Sequence, residues 1–159
     1  MEFFTIGVYN STEQEFFNKL VENRIDTFCD IRQRRAVRGS KYAFVNSNRL
    51  QNKLAELNIK YRHVIQLAPP KEIRELQKQV DLQKGELKRE RKELGEVFLS
   101  EYKHKIIEHF DFDIFIENLG KASANRVVLF CVEERPDACH RSIVSNKLQN
   151  KYNYKVSHL

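Results

Sequence analysis

Cys139, His140 and Arg141 stand side by side in the segment VEERPDACHRS, placing a thiol, an imidazole and a guanidinium within three residues. An apolar run, Arg126 to Glu133, precedes them and a helical pattern follows, so they fall where a strand gives way to a helix. A helix start offers free N–H groups and partial positive charge. It favours a thiolate, which makes Cys139 a candidate nucleophile. The same place suits an anion seat built on Arg141, with His140 as proton donor or hydrogen-bonding partner. A third reading makes Cys139 a small buried residue and Arg141 a structural partner. Glu133, at the tip of the strand, is a second acid–base candidate, and Asp137 is the expected N-cap of the helix.

A second group follows another apolar run, Ile25 to Ile31. Asp30 and Arg32 alternate along the strand and point to one side, as an ion pair or with Asp30 as an acid–base group. Arg34, Arg35, Arg38 and Lys41 then crowd the next loop, with Tyr42 and Phe44 close behind. Arginine forks suit phosphate and aromatic rings suit bases, so nucleic-acid binding and a merely solvated loop both fit. Metal binding is not expected: Cys131 and Cys139 are eight apart, and the adjacent Cys139 and His140 are an awkward chelate. No cofactor is expected either.

The elements that must position these residues alternate. Phe3–Tyr9 reads as a strand, followed by a helix with a capping box at Ser11/Gln14 or Thr12/Glu15 and an apolar face of Phe16, Phe17, Leu20 and Val21. Ile25–Ile31 is a second strand, Ser47–Leu57 a helix and IKYRHV a third strand. Arg126–Glu133, a helix from Ala138 to Gln149 and YKVSHL complete the series. The pattern predicts an α/β domain over residues 1–159, with a mainly parallel, Rossmann-like sheet and helices on both faces. Ligands then sit at the carboxyl ends of the strands, where the candidate residues lie.

Residues 69–120 interrupt the alternation. From Lys71 to Lys105, eighteen of 35 residues are charged, which leaves only a thin apolar stripe of Ile73, Val80, Leu87 and Leu94. A charged helical insertion bent near Gly85 or Gly95 is expected, leaning on the core or pairing two copies into a homodimer through residues 71–105. The net charge of +6 favours anionic partners, a nucleotide or nucleic acid among them. The apolar stretches are too short for a membrane span, and the N-terminus lacks the basic region and cleavage site of a signal peptide, so a cytoplasmic location is expected. The three cysteines then read as free thiols.

TIGVYNSTEQEFFNKL, IDTFCDIR, KYRHVIQL, LFCVEERPDACHRSIVSNKL and VSHL together resemble the domain-of-unknown-function family 488, in order and over nearly the whole chain. The resemblance implies that Asp30, Arg32, Tyr61, His63, Cys131, Glu133, Cys139, His140, Arg141 and His158 match the family's motif positions; it implies no reaction. The family's usual His-Ser after the first glycine is replaced by Val8-Tyr9-Asn10, which makes Tyr9 a candidate substitute. The glycine pair expected after the third strand is replaced by Ala68-Pro69-Pro70. The stretch from Val127 is also similar in layout to rhodanese-like domains, where a cysteine heads an anion-cradling loop. A cysteine-dependent rhodanese-like or phosphatase-like enzyme is therefore one alternative. A non-enzymatic nucleic-acid or protein-binding module is another.

On these grounds the first expectation is a phosphorylated ligand held at the sheet edge by Arg32, Arg141, Tyr9, His63 and His158. Glu133, His140, Cys139 or Asp30 would supply any chemistry.

Overall fold

The computed structural model describes residues 1–159. Five short strands, β1 (Glu2–Ile6), β2 (Thr27–Asp30), β3 (Lys60–His63), β4 (Arg126–Phe130) and β5 (Val156–His158), form one sheet in the order β3-β2-β4-β1-β5. Every pairing is parallel. Such strands must be buried on both faces, and β2 and β4 are buried almost throughout for that reason, β4 with an apolar run from Val127 to Phe130. The six helices are α1 (Glu13–Glu22), α2 (Ser47–Glu56), α3 (Lys71–Lys84), α4 (Glu96–Tyr102), α5 (Phe112–Lys121) and α6 (His140–Tyr152).

Side-chain parity divides the layers. Phe16 of α1 meets the rings of Phe28 and Phe130 on one face. Lys60 and Arg62, of opposite parity to Tyr61, reach carbonyls at Ala122 and Asn118 in and just after α5 on the other. α6 lies against β1, β4 and β5. Thr12, rather than Ser11, caps α1: its hydroxyl accepts from the Glu15 amide, and the Glu15 carboxylate accepts from the Thr12 amide.

The order of the strands selects a crevice. The chain leaves β2 toward β3 and leaves β4 in the opposite direction toward β5, so the adjacent carboxyl ends of β2 and β4 form the switch point at which parallel sheets bind ligands.

Three expectations are corrected. β4 ends at Phe130, not Glu133, because the Val132 carbonyl turns to accept the Val8 and Tyr9 amides. Asp137 does not cap α6. Pro136 opens a 3₁₀ turn over Pro136–Ala138, the Asp137 carbonyl accepts from Leu94, and extended Cys139 becomes the N-cap residue. The seven-residue apolar stripe is not continuous. Gly85 ends α3 with φ 64°, a left-handed conformation that suits glycine, and Leu87 is left 54% exposed while Ile73 and Leu94 are buried.

Candidate functional site

At the switch point, Asp30 is fully buried and holds Arg32 bidentately, Nε to Oδ1 at 2.9 Å and Nη2 to Oδ2 at 2.7 Å. Tyr61 donates to the same carboxylate at 2.9 Å. Burial and that neighbouring carboxylate push its phenol up to about 12, so it remains a donor. Arg32 also donates to the Val45 carbonyl and lies over the Phe130 ring at 4.5 Å. Its remaining nitrogen, Nη1, is buried without a partner. His63 donates through Nε2 to the Arg32 carbonyl at 2.9 Å. Asp30, Tyr61 and His63 therefore position Arg32, and only Arg32 of the four lines the cavity beyond.

Gly7 brings the loop after β1 against the loop after β4: a Cβ there would stand 1.9 Å from the Glu133 carbonyl oxygen. Close approach is why this position is glycine. Arg141 sits beneath the same loop, donating to the carbonyls of Glu133 and Glu134. It is 1% exposed and does not line the cavity; its guanidinium holds the loop in shape.

The Glu133 carboxylate faces the other way. Its Oε1 accepts from Arg91 at 3.1 Å and stands 3.2 Å from Lys88 Nζ. Burial raises its pKa, but the Lys88, Arg91 and His140 charges outweigh burial and hold the carboxyl well below the usual range. Arg91 also donates to Asp81 at 2.9 Å and to the Ala138 carbonyl. Asp81 accepts from Gln77 at 2.7 Å, and Gln77 in turn accepts from the Gly95 amide. Sequence reasoning missed Arg91, Asp81, Gln77 and Lys88. They sit in a stretch so rich in charge that one buried arginine has no distinguishing signal. The one available hint was Gln77 and Asp81, four apart on the face of Ile73 and Arg74.

Three reactive side chains meet at the floor. Cys131 Sγ and Cys139 Sγ each stand 3.8 Å from His140 Nδ1, while His140 Nε2 donates to the Ile31 carbonyl at 3.0 Å. The Cys131 thiol donates to Glu133 Oε2 at 3.2 Å. Burial raises Cys131, and Cys139 and Glu133 beside it push the same way. Burial also acts to raise Cys139, but the neighbouring Cys131 and the charges of His140 and Arg141 bring it down. Burial lowers His140, yet Cys139, Glu133 and the Ile31 bond raise it overall.

These groups surround a cavity of about 570 Å³. Seven cations line it: Arg32, Arg34, Arg38, Arg74, Lys78, Lys88 and Arg91; three carboxylates do so: Glu75, Asp81 and Glu133. Tyr9 and Tyr42, with rings 5.3 Å apart, form part of its wall with Pro69. Cys131 and His140 lie at its base, and Cys139 does not reach it. Of the basic loop, Arg34 and Arg38 line the cavity, while Arg35 and Lys41 are exposed outside it. His158, on β5, does not line it, and its Nδ1 stands 2.7 Å from the Thr5 hydroxyl.

Residues 12–148 match the family described as domain of unknown function DUF488. The chain belongs to that family. The DUF488 match takes in both loops of the switch point and the whole helical insertion, and leaves Tyr9 and His158 outside its limits. No curated protein and no solved structure matches the chain significantly.

Proposed function

We propose that this DUF488 protein binds a phosphorylated ligand of nucleotide size, free or as part of a nucleic acid, in the cavity at the β2–β4 switch point. The observation that carries this reading is unspent positive charge around a half-open cavity, with Arg34 and Arg38 at its exposed side and Arg32 buried within. Arg91 and Lys88 are matched by Glu133 and Asp81, and Lys78 by Glu75. Arg34, Arg38 and Arg74 have no carboxylate partner, and Arg32 Nη1 and Arg74 Nε are buried without any hydrogen bond. Buried donors without partners are costly, and phosphate oxygens satisfy several guanidinium donors at once. The volume falls within the ordinary range for small-ligand sites, and the tyrosine wall offers apolar surface to a base.

A thiol-enzyme reading has less support, because the lowered thiol, Cys139, lies outside the cavity lining while Cys131, which lines it, is raised.

The test is a thermal-shift and calorimetric screen of inorganic phosphate, nucleoside phosphates and short DNA and RNA at two salt concentrations. Arg38→Ala and Arg74→Ala should each weaken the ligand that shifts wild type about tenfold, the cost of one charge-assisted hydrogen bond. No shift by any phosphorylated compound at either salt concentration would remove the reading. So would a shift that both variants retain in full.

A further inference from the structure

The sulfur atoms of Cys131 and Cys139 and Nδ1 of His140 lie within 4.8 Å of one another, all on buried residues. Tetrahedral zinc holds sulfur at about 2.3 Å and imidazole nitrogen at about 2.0 Å, which sets ligand atoms roughly 3.5–3.8 Å apart. The two sulfur–nitrogen distances of 3.8 Å meet that spacing with little movement.

The backbone explains how neighbours in sequence converge. Cys139 is extended, with φ −139° and ψ 144°, and His140 begins α6, so the two side chains leave the junction toward a common point. Cys131 arrives from the end of β4, bridging the eight-residue interval through the Glu133 loop that Arg141 holds.

A second observation concerns the imidazole. Its Nε2 donates to the Ile31 carbonyl at 3.0 Å, so in the neutral ring Nδ1 carries the lone pair and faces both sulfurs. No nitrogen or oxygen donor is bonded to Nδ1. A fixed outer hydrogen bond that selects the tautomer is the usual support of a metal-binding histidine.

We propose that Cys131, Cys139 and His140 form a site for a borderline-soft divalent ion of the zinc class. Its fourth position opens on the cavity beside Glu133 Oε2, which is 3.2 Å from Cys131 Sγ. Binding releases two protons to solvent, one from the Cys131 thiol and one from the Cys139–His140 pair, and leaves two thiolates and a neutral imidazole on the ion, with no change of oxidation state. Cys131 and His140 already line the cavity, so the open position faces the space in which the arginines stand. This inference goes beyond anion binding and does not depend on it.

The experiment titrates reduced, metal-free protein with cobalt(II), then displaces the cobalt with zinc, with no nucleotide present. The expected result is one equivalent bound, with thiolate-to-cobalt charge transfer in the near ultraviolet and the visible bands of a tetrahedral ion. Cys131→Ser and Cys139→Ser should each weaken binding by more than about tenfold. Cys29→Ala, which alters the third cysteine, buried in β2, should not. Zinc-edge X-ray absorption of loaded wild type reads the ligands without any variant: two sulfurs and one nitrogen are expected. A spectrum without thiolate charge transfer, a shell of nitrogen and oxygen alone, or equal loss in Cys29→Ala would overturn the proposal.

Discussion

Arg91 is the residue on which the cavity's back wall depends. It is 8% exposed and ties Asp81 of α3, Glu133 of the β4–α6 loop and the Ala138 carbonyl into one cluster. Removing one partner of a buried ion pair leaves the other charges uncompensated, which costs about 3–5 kcal/mol. Arg91→Ala should lower stability by that amount in urea unfolding, whereas Arg89→Ala, an exposed neighbour, should change it by less than about 0.5 kcal/mol. Gly7→Ala should cost about 1–3 kcal/mol, because the new methyl group displaces the Glu133 carbonyl and with it the Arg141 contact. Here the sequence was informative in an uneven way. Asp30 and Arg32 were readable as a pair because strand parity puts them on one side. Arg141 was readable as an anion seat or a structural partner, and only the fold places its guanidinium under two loop carbonyls. Arg91 was invisible among its charged neighbours.

The elements were more legible than their ends. The strand–helix alternation, the capping box at Thr12 and the break at Gly85 all follow from local chemistry that needs no tertiary information. Thr12→Ala should therefore destabilise by about 1 kcal/mol, measured by chemical denaturation, since both halves of the reciprocal cap are lost. The ends of β4 and α6 are not local properties, because long-range partners decide them: Tyr9 and Val8 take the Val132 carbonyl, and Leu94 takes that of Asp137. The insertion shows the same division. Its helices are written in local propensity. Its irregular segment, 86–95, is held by Asp81, Gln77 and Glu133, residues from two other elements, and no periodicity in 71–105 announces that.

For the molecule as a whole, charge and protons give the broad test. The net charge of +6 and the three unmatched arginines of the cavity predict that any nucleic-acid affinity falls steeply with salt, while a small ligand seated on buried Arg32 loses less. Binding isotherms at low and physiological salt separate the two. At the far edge, His158 accepts from the Thr5 hydroxyl at Nδ1, and burial with the nearby Arg141 charge lowers its pKa from 6.5. A depressed histidine favours the neutral ring in the fold. Its contribution is complete above the unfolded value and is lost as the pH falls toward the folded one. Urea midpoints at about pH 7.5 and about pH 5.5 should therefore differ more for wild type than for His158→Gln. No helix is long and apolar enough to cross a membrane.

The placement of β4 has a consequence for synthesis on the ribosome. β4 is the middle strand, pairing β1 through Glu2↔Arg126 and β2 through Thr27↔Val127, and β1 and β2 are not neighbours. A nascent chain that has emerged only as far as Asn125 can zip β2 to β3 but leaves β1 with no partner on either side. Closing the sheet waits for the last fifth of the chain, when loops of about a hundred residues must be shut at once. Phe3 and Phe4 of β1, whose strand partners are β4 and β5, spend that interval without them, the condition in which chaperones meet a growing chain.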